Sequence, residues 1–372
     1  MMIVELLQEI GLCEKKSYES IYDLMDLTIR ERDRNSPLAQ VVSLFYSGYM
    51  EEQMLGSKDE LLGLAEDVRQ IKEYSIDHLN ELVKLTYDNV EDNKGHCYVA
   101  KDAEEARRIV GEIVGSGNTI VKVVDHAIEE IGLGRHLASI GNNVCEVAIL
   151  GVLSKLGSLP KVDRGILQYM NGIIGKEVPK FKESLDCMRK FLKDEVFRKA
   201  EVGISGASVI AADPGALFSV MSNGTDRLVT MTPEINIFIV GMNDIVPSYS
   251  EAFKVSEYIM RSTGQNTLCV IGGPSKTGDI EKRTTYGVHG PRELYLVLLD
   301  NGRLRAAKDP ILKEVLYCTR CGNLYTPPLW AAWTYILRGE RELAKKCLEM
   351  GCTSTCPLGI GLRDILLHIS RT

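Results

Sequence analysis

No apolar run in the sequence approaches the roughly 18 residues that a helix needs to cross a bilayer, so a membrane span is not expected. Positive charge is also in short supply: 44 Lys and Arg face 51 Asp and Glu, for a formal net charge of -7. That balance leaves no electrostatic footprint for nucleic acid or for an anionic membrane. The opening "MMIVELLQEIGLCEKK" carries Glu5 and Glu9 where a secretory leader would be basic and then uniformly apolar, and a cytoplasmic location is expected. There is no G-x4-G-K-[ST] loop, and "GLGRHL" at Gly132 lacks the third glycine of a dinucleotide fingerprint. A G-x-S-x-G elbow is missing as well, and Ser205 in "GISGAS" reads as a strand residue rather than a nucleophile. No internal repeat or low-complexity segment stands out. With 45% hydrophobic and 26% charged residues over 372 positions, the composition is that of a soluble globular protein of one large domain with appended elements, or of two domains.

The cysteine pattern is incomplete in an informative way. Cys13, Cys97, Cys145, Cys187 and Cys269 are scattered and read as small buried hydrophobes. The other five, Cys318, Cys321, Cys347, Cys352 and Cys356, are crowded into one short segment, which argues for a metal rather than for disulfides. "CTRCGNLYTPPLW" begins like the cluster-binding run C-x2-C-x2-C-x3-C-P, but Leu324 and Pro328 occupy the third and fourth cysteine positions. Cys352-x3-Cys356-Pro357 matches the end of a second such run, whose earlier positions are Lys346 and Glu349. Two full [4Fe-4S] clusters are excluded by ligand count. One cluster remains possible, with Cys318, Cys321 and Cys356 as three ligands and Cys352 or Cys347 as the fourth. A structural zinc held by the same thiols and a metal-free remnant of such a site are the alternatives.

Along the chain, residues 1–93 carry apolar positions at helical spacing and read as a helical N-terminal region. From residue 94 to 307, helices and short apolar strands alternate: "KDAEEARRIVGEIVGSG" then "NTIVKVVD", and "EEIGLGRHLASIG" then "NVCEVAIL". This alternation predicts an α/β domain with an open, mostly parallel sheet. A helix is expected near residues 180–199, followed by strands "VGISGASVIAA", "ALFSVMS", "RLVTMT" and "INIFIVG", with Asp213-Pro214-Gly215 turning a hairpin between the first two. Residues 308–372 read as a small helical, cysteine-rich module.

Two motifs could carry chemistry. In "GGPSKTGDIE", Gly272, Gly273, Ser275, Lys276 and Thr277 could approach an anionic ligand, and Asp279 and Glu281 could hold a hydroxyl or move a proton. The alternative is a plain turn with Asp279 capping a helix. In "YGVHGPREL", His289 could act as acid or base and Arg292 could clamp a carboxylate, unless both serve only the loop and its surface pairs. Asp125-His126 reads as a helix N-terminus, and His78, His96, His126, His136 and His368 read as structural.

The stretches "VGISGASVIAADPGALFSVMSNGTDRLVTMTPEINIFIVGMNDIVPSYSEA", "GGPSKTGDIEKRTTYGVHGPRELYLVLLDNGR" and "DPILKEVLYCTRCG" resemble the lactate-utilisation (LUD) domain family. Their order is similar to that of its LutB-type iron–sulfur subunits of lactate oxidation complexes. The resemblance implies a fold similar to the ribose-phosphate isomerase and CoA-transferase group. It also implies a place for Asp213 in substrate binding, a cluster module reduced to one cluster, partner subunits of a redox complex and a small anionic metabolite. The family's A-E-T-G-T hairpin stands here as Ala212-Asp213-Pro214-Gly215-Ala216, and Lys122 is the base left where the family has a "KSKS"-type strand end. The expected function is electron transfer linked to oxidation of a small 2-hydroxy acid. The alternative is a non-redox enzyme or binding protein for a phosphorylated or carboxylated metabolite.

Overall fold

The computed structural model describes residues 58–147, 163–221, 224–278, 283–321, 327–351 and 356–372. Of the expected helical region 1–93, helices α1 (Lys58–Asp77) and α2 (Leu79–Asp92) are described, and the part before them lies outside. Strand β1 (His96–Ala100) leads into α3 (Ala103–Val114). Asp102 caps α3 by accepting the Glu105 amide at 2.9 Å, two glutamates favour its positive end, and Gly115 at φ 70 stops it. Then follow β2 (Thr119–Lys122), α4 (His126–Glu130), α5 (Leu133–Ser139) and β3 (Asn143–Glu146). Helices α6 (Asp163–Ile174) and α7 (Phe181–Phe191) precede β4 (Val202–Ser205), β5 (Val209–Asp213) and β6 (Ala216–Met221).

The stretch "RLVTMT" is a correction: it belongs to helix α8 (Gly224–Met231), not to a strand. Val229 is buried while Leu228 and Met231 face outward, a helical spacing that the short β-branched run disguises. The helix also supplies the crossover that takes the chain from β6, in one sheet, to β7 (Ile235–Gly241), in another. After β8 (Ile245–Ser248), α9 (Tyr249–Thr263) opens with a capping box between Ser248 and Glu251 and ends at Gly264 in the left-handed region. The remaining elements are β9 (Thr267–Ile271), β10 (Lys276–Gly278), β11 (Thr284–Tyr286), β12 (Glu293–Leu299), α10 (Arg303–Ala306), α11 (Pro327–Arg338), α12 (Glu342–Glu349) and α13 (Leu362–Arg371).

The large sheet is open and parallel throughout, in the order β1-β12-β7-β4-β2-β3. Alternate residues of its central strands face opposite layers. Ile237, Ile239, Val297 and Leu299 pack with Ile109, Val110 and Leu137 from α3 and α5. Phe238, Val240, Leu296 and Leu298 pack with Leu79 and Leu82 of α2 and with Ile210, Leu217 and Ile245 of a second sheet. That second sheet, β8-β5-β6-β9, is mixed, and its β5–β6 hairpin turns at Asp213-Pro214-Gly215 as expected. "VGISGASVIAA" is therefore two strands in two sheets, parted at Gly206. The outer face of the small sheet shares one core with α1, α9, the cysteine segment and α11 to α13, through Val68, Phe218, Tyr258, Cys318, Cys321, Trp330, Cys347 and Ile365.

Candidate functional site

Parallel α/β sheets gather loops, and hence ligands, beyond the carboxyl ends of their strands. Here that edge carries Lys122 at the end of β2, Glu146 at the end of β3, Ser205 at the end of β4, Asn243 and Asp244 just after β7, and Arg303 just after β12. All are buried. Lys122 lies between Glu129 at 2.5 Å and Glu146 at 2.7 Å. Burial, with the Glu146 charge, pushes the Glu129 carboxyl up to about 7 against the pull of Lys122. Arg303 and Glu130 form a paired fork, two bonds of 2.8 Å with both side chains sealed from water, while Arg303 Nε donates to Asn243 Oδ1 at 2.7 Å. Its guanidinium also lies 5.2 Å from the ring centre of Trp333 in α11.

A second charged group joins this edge to the cysteine segment. Asp244 pairs with Arg320 at 2.8 Å and with Lys72 of α1 at 3.9 Å, and Lys72 also donates to the Asn243 carbonyl. Burial lowers Lys72 to about 8 although Asp244 opposes it. Asp125 caps α4 by accepting the Ala127 amide, and its carboxylate presses on Gly206 so closely that no side chain fits there. Burial raises Asp125, with Arg320 resisting. His126 is held neutral by burial and sits edge-on to Trp333 at 5.1 Å. Ser205 Oγ and Thr319 Oγ1 are buried here without a hydrogen-bond partner among the described residues.

Arg320 stands between Cys318 and Cys321 in the left-handed region, at φ 55. Its amide donates to Cys318 Sγ at 3.3 Å, and the Tyr258 hydroxyl of α9 donates to Cys321 Sγ at 3.6 Å. The amides of Ile360 and Leu358 turn toward the sulfur of Cys356. Burial first, and then the neighbouring Cys321, push the Cys318 thiol up to about 12. Cys356 also acts on Cys318, so these three sequence-predicted ligands share one neighbourhood. Cys356 itself is raised to about 11 by burial. Cys347 is fully buried in α12, and Cys352 lies outside the described residues. Among the described residues, no group of three or more His, Cys, Asp or Glu is spaced to hold a metal ion.

The glycine-rich stretch has a different geometry from the cradle that its composition suggested. Lys276 and Thr277 lie on β10, which among the described residues pairs only with β11, and both strands are exposed along their whole length. Ser275 accepts the Gly287 amide through its carbonyl, and Gly273 lies against the end of α2, where it leaves room for the Asn93 carbonyl, while Gly272 faces open space. His289 and Arg292 are exposed, just before β12 begins. This hairpin therefore stands at the amino end of the parallel strands, away from the charged edge. Asp279 and Glu281 lie outside the described residues. Asp213 ends β5 and lines an open cavity with Ser248, Tyr249 and Phe253.

Of the charged edge, reading the sequence singled out Lys122. It passed over Lys72, Glu130, Asp244, Arg303 and Arg320, and it gave Asp125 only its capping role. The available signal was a charge set directly after an apolar strand, as in "INIFIVGMND" and "LYLVLLDNGR".

The model of the LUD domain matches residues 83–299, more than half of the chain. "Lactate utilization protein B" of Shouchella clausii is 28% identical over 359 residues, covering 86% of this chain and 73% of that one. Its namesake in Bacillus subtilis is 27% identical over 352 residues, covering 84% and 71%. A crystal structure of a DUF162 family protein from Deinococcus radiodurans aligns with 59% of this chain and 98% of its own at 15% identity, with a TM-score of 0.36. Among the described residues no helix is long and apolar enough to cross a membrane. On the extent of the domain match, the chain belongs to the LUD domain family.

Proposed function

We propose that this chain is a cytoplasmic electron-relay subunit of a lactate-utilisation system, working with partner subunits that oxidise a small 2-hydroxy acid. In this reading Cys318, Cys321 and Cys356, with Cys352 or Cys347 as the fourth thiolate, hold one [4Fe-4S] cluster. The observation that carries the reading is the set of donors aimed at sulfur: the Arg320 amide at Cys318, the Tyr258 hydroxyl at Cys321, and the Ile360 and Leu358 amides at Cys356. Hydrogen bonds to sulfur are a principal means of setting a cluster's potential, and neutral thiols in an apolar core do not need them. A cluster at this place would supply one-electron transfer. The protein's own part is to exclude water, through the Trp330 and Tyr258 core, and to place the Arg320 cation beside the thiolates. The namesake relatives, matched over more than four-fifths of this chain, support the lactate assignment.

Anaerobic purification with iron, labile sulfide and zinc counted per chain tests the reading. About four irons with matching sulfide are expected. One zinc without iron would replace the relay with a structural site. Cys318→Ala is expected to abolish stoichiometric loading, and a full cluster in that variant would refute the ligand set.

A further inference from the structure

We propose that the open cavity between the β5–β6 turn and the first turn of α9 binds an organic cation, an alkylammonium or guanidinium group. The cavity measures about 640 Å³, within the range of small-ligand sites, and is lined by Asp213, Pro214, Ser248, Tyr249, Ser250 and Phe253. Its wall is aromatic. Tyr249 and Phe253 are one helical turn apart on α9, with ring centres 5.2 Å apart, and both are more than 40% exposed. Such exposure of two large rings, side by side, marks a surface built for contact. Neither ring is loose: each meets the fully buried Phe218 edge-on, at 5.0 Å for Tyr249 and 5.2 Å for Phe253. The ring faces are thus fixed before a ligand arrives, which is the condition for attracting a cation by the quadrupole of the ring.

The charge beside them has the matching sign. Asp213 is exposed at the end of β5, directly opposite Ser248 of β8, and no cation pairs with it among the described residues. Its position is set by backbone contacts that leave the carboxylate out of the fold. Asn93 donates to the Pro214 carbonyl at 2.7 Å, and Gly215, at φ 77, lies so close to Asn89 of α2 that a side chain would clash. The start of α9 would ordinarily favour an anion, but here it is already answered. Ser248 accepts the Glu251 amide and Glu251 accepts the Ser248 amide at 2.9 Å, which places a second negative charge at that helix end. The hydroxyls of Ser248 and Ser250, 3.0 Å apart, add acceptors at the rim. An anionic metabolite would meet the Asp213 carboxylate in this cavity, whereas a cation meets that carboxylate and two aromatic rings.

The test uses the full chain and titration calorimetry with argininamide acetylated at its α-amine, set against citrullinamide acetylated in the same way, so that the guanidinium is the one charge and the urea analogue of the same shape is neutral. Saturable binding of argininamide and at least tenfold weaker binding of citrullinamide are expected. Asp213→Asn and Phe253→Leu, each checked for an unchanged circular dichroism spectrum, are each expected to weaken argininamide about three- to tenfold. A capped Gly-Arg-Gly peptide separates the two sources of such a cation. Tighter binding than argininamide assigns the site to a side chain carried by a partner, and weaker binding assigns it to a free small molecule. Equal affinity for the neutral and charged probes, indifference to both substitutions, or no saturable binding of argininamide at tens of millimolar would overturn the proposal.

Discussion

At the scale of single residues, the carboxyl edge of the large sheet holds more buried charge than a structural core needs. Arg303 and Glu130 have no exposed side-chain surface at all, and removing one partner of such a pair costs about 3–5 kcal/mol because the other is left charged and dry. Lys122 differs, since it serves two carboxylates and only one of them can be fully balanced. The unbalanced one is Glu129, raised from 4.5 to about 7 by burial and by the Glu146 charge. A carboxyl whose folded value is raised binds its proton more tightly in the folded chain than in the unfolded one, so its contribution favours folding at low pH. That contribution is lost as pH rises from about 4.5 to about 7, and the group is neutral to stability slope beyond either limit. Glu129→Gln removes this titration. Denaturant unfolding of both proteins across that window should therefore show the variant gaining on the wild type as pH rises, by up to a few kcal/mol. A pH-independent difference would place the titration elsewhere.

At the scale of elements, the close seat of α8 on β4 explains why that segment is a helix. Gly203 in β4 leaves no room for a side chain, because the Val229 carbonyl of α8 occupies the place a Cβ would take. Gly203→Ala should therefore force helix and strand apart and cost about 1–3 kcal/mol, read as a lowered denaturation midpoint with an unchanged m-value. The same pair shows what the sequence could convey. "INIFIVG" and "ELYLVLLD" are plain as strands because both of their faces are buried and every position can be apolar. "RLVTMT" resembles them over six residues, and only the demand for a crossover between two sheets makes it helical. "GGPSKTGDIE" has a composition suited to a phosphate cradle, yet concavity depends on what surrounds a loop, and its Lys276, Thr277 and Gly278 lie on a two-stranded ribbon that is exposed along its length. The Arg303–Glu130 pair was out of reach for another reason. Its members are 173 residues apart, and no local pattern encodes which charges a sheet edge will bring together.

At the scale of the whole molecule, the cysteine segment is no detachable appendage. Trp330, Leu343, Cys347 and Ile365 bury themselves in the same core as Val68 of α1 and Phe218 of the small sheet, and Trp333 covers Arg303. A chain ended after residue 307 should thus expose that face. It is expected to bind a hydrophobic dye and to lose its sharp thermal transition, whereas retention of a cooperative transition would show that the sheets stand without the cysteine segment. The strand order carries a consequence in time. Strand β1 pairs with β12, whose residues follow it by about 200 positions in the chain. During synthesis β1 emerges long before β12, its one neighbour among the described strands, exists, and at roughly 5–20 residues per second the wait is on the order of ten seconds or more. For that interval both edges of β1 are unpaired, where the folded sheet leaves one, so the nascent chain presents an extra open strand edge until β12 arrives.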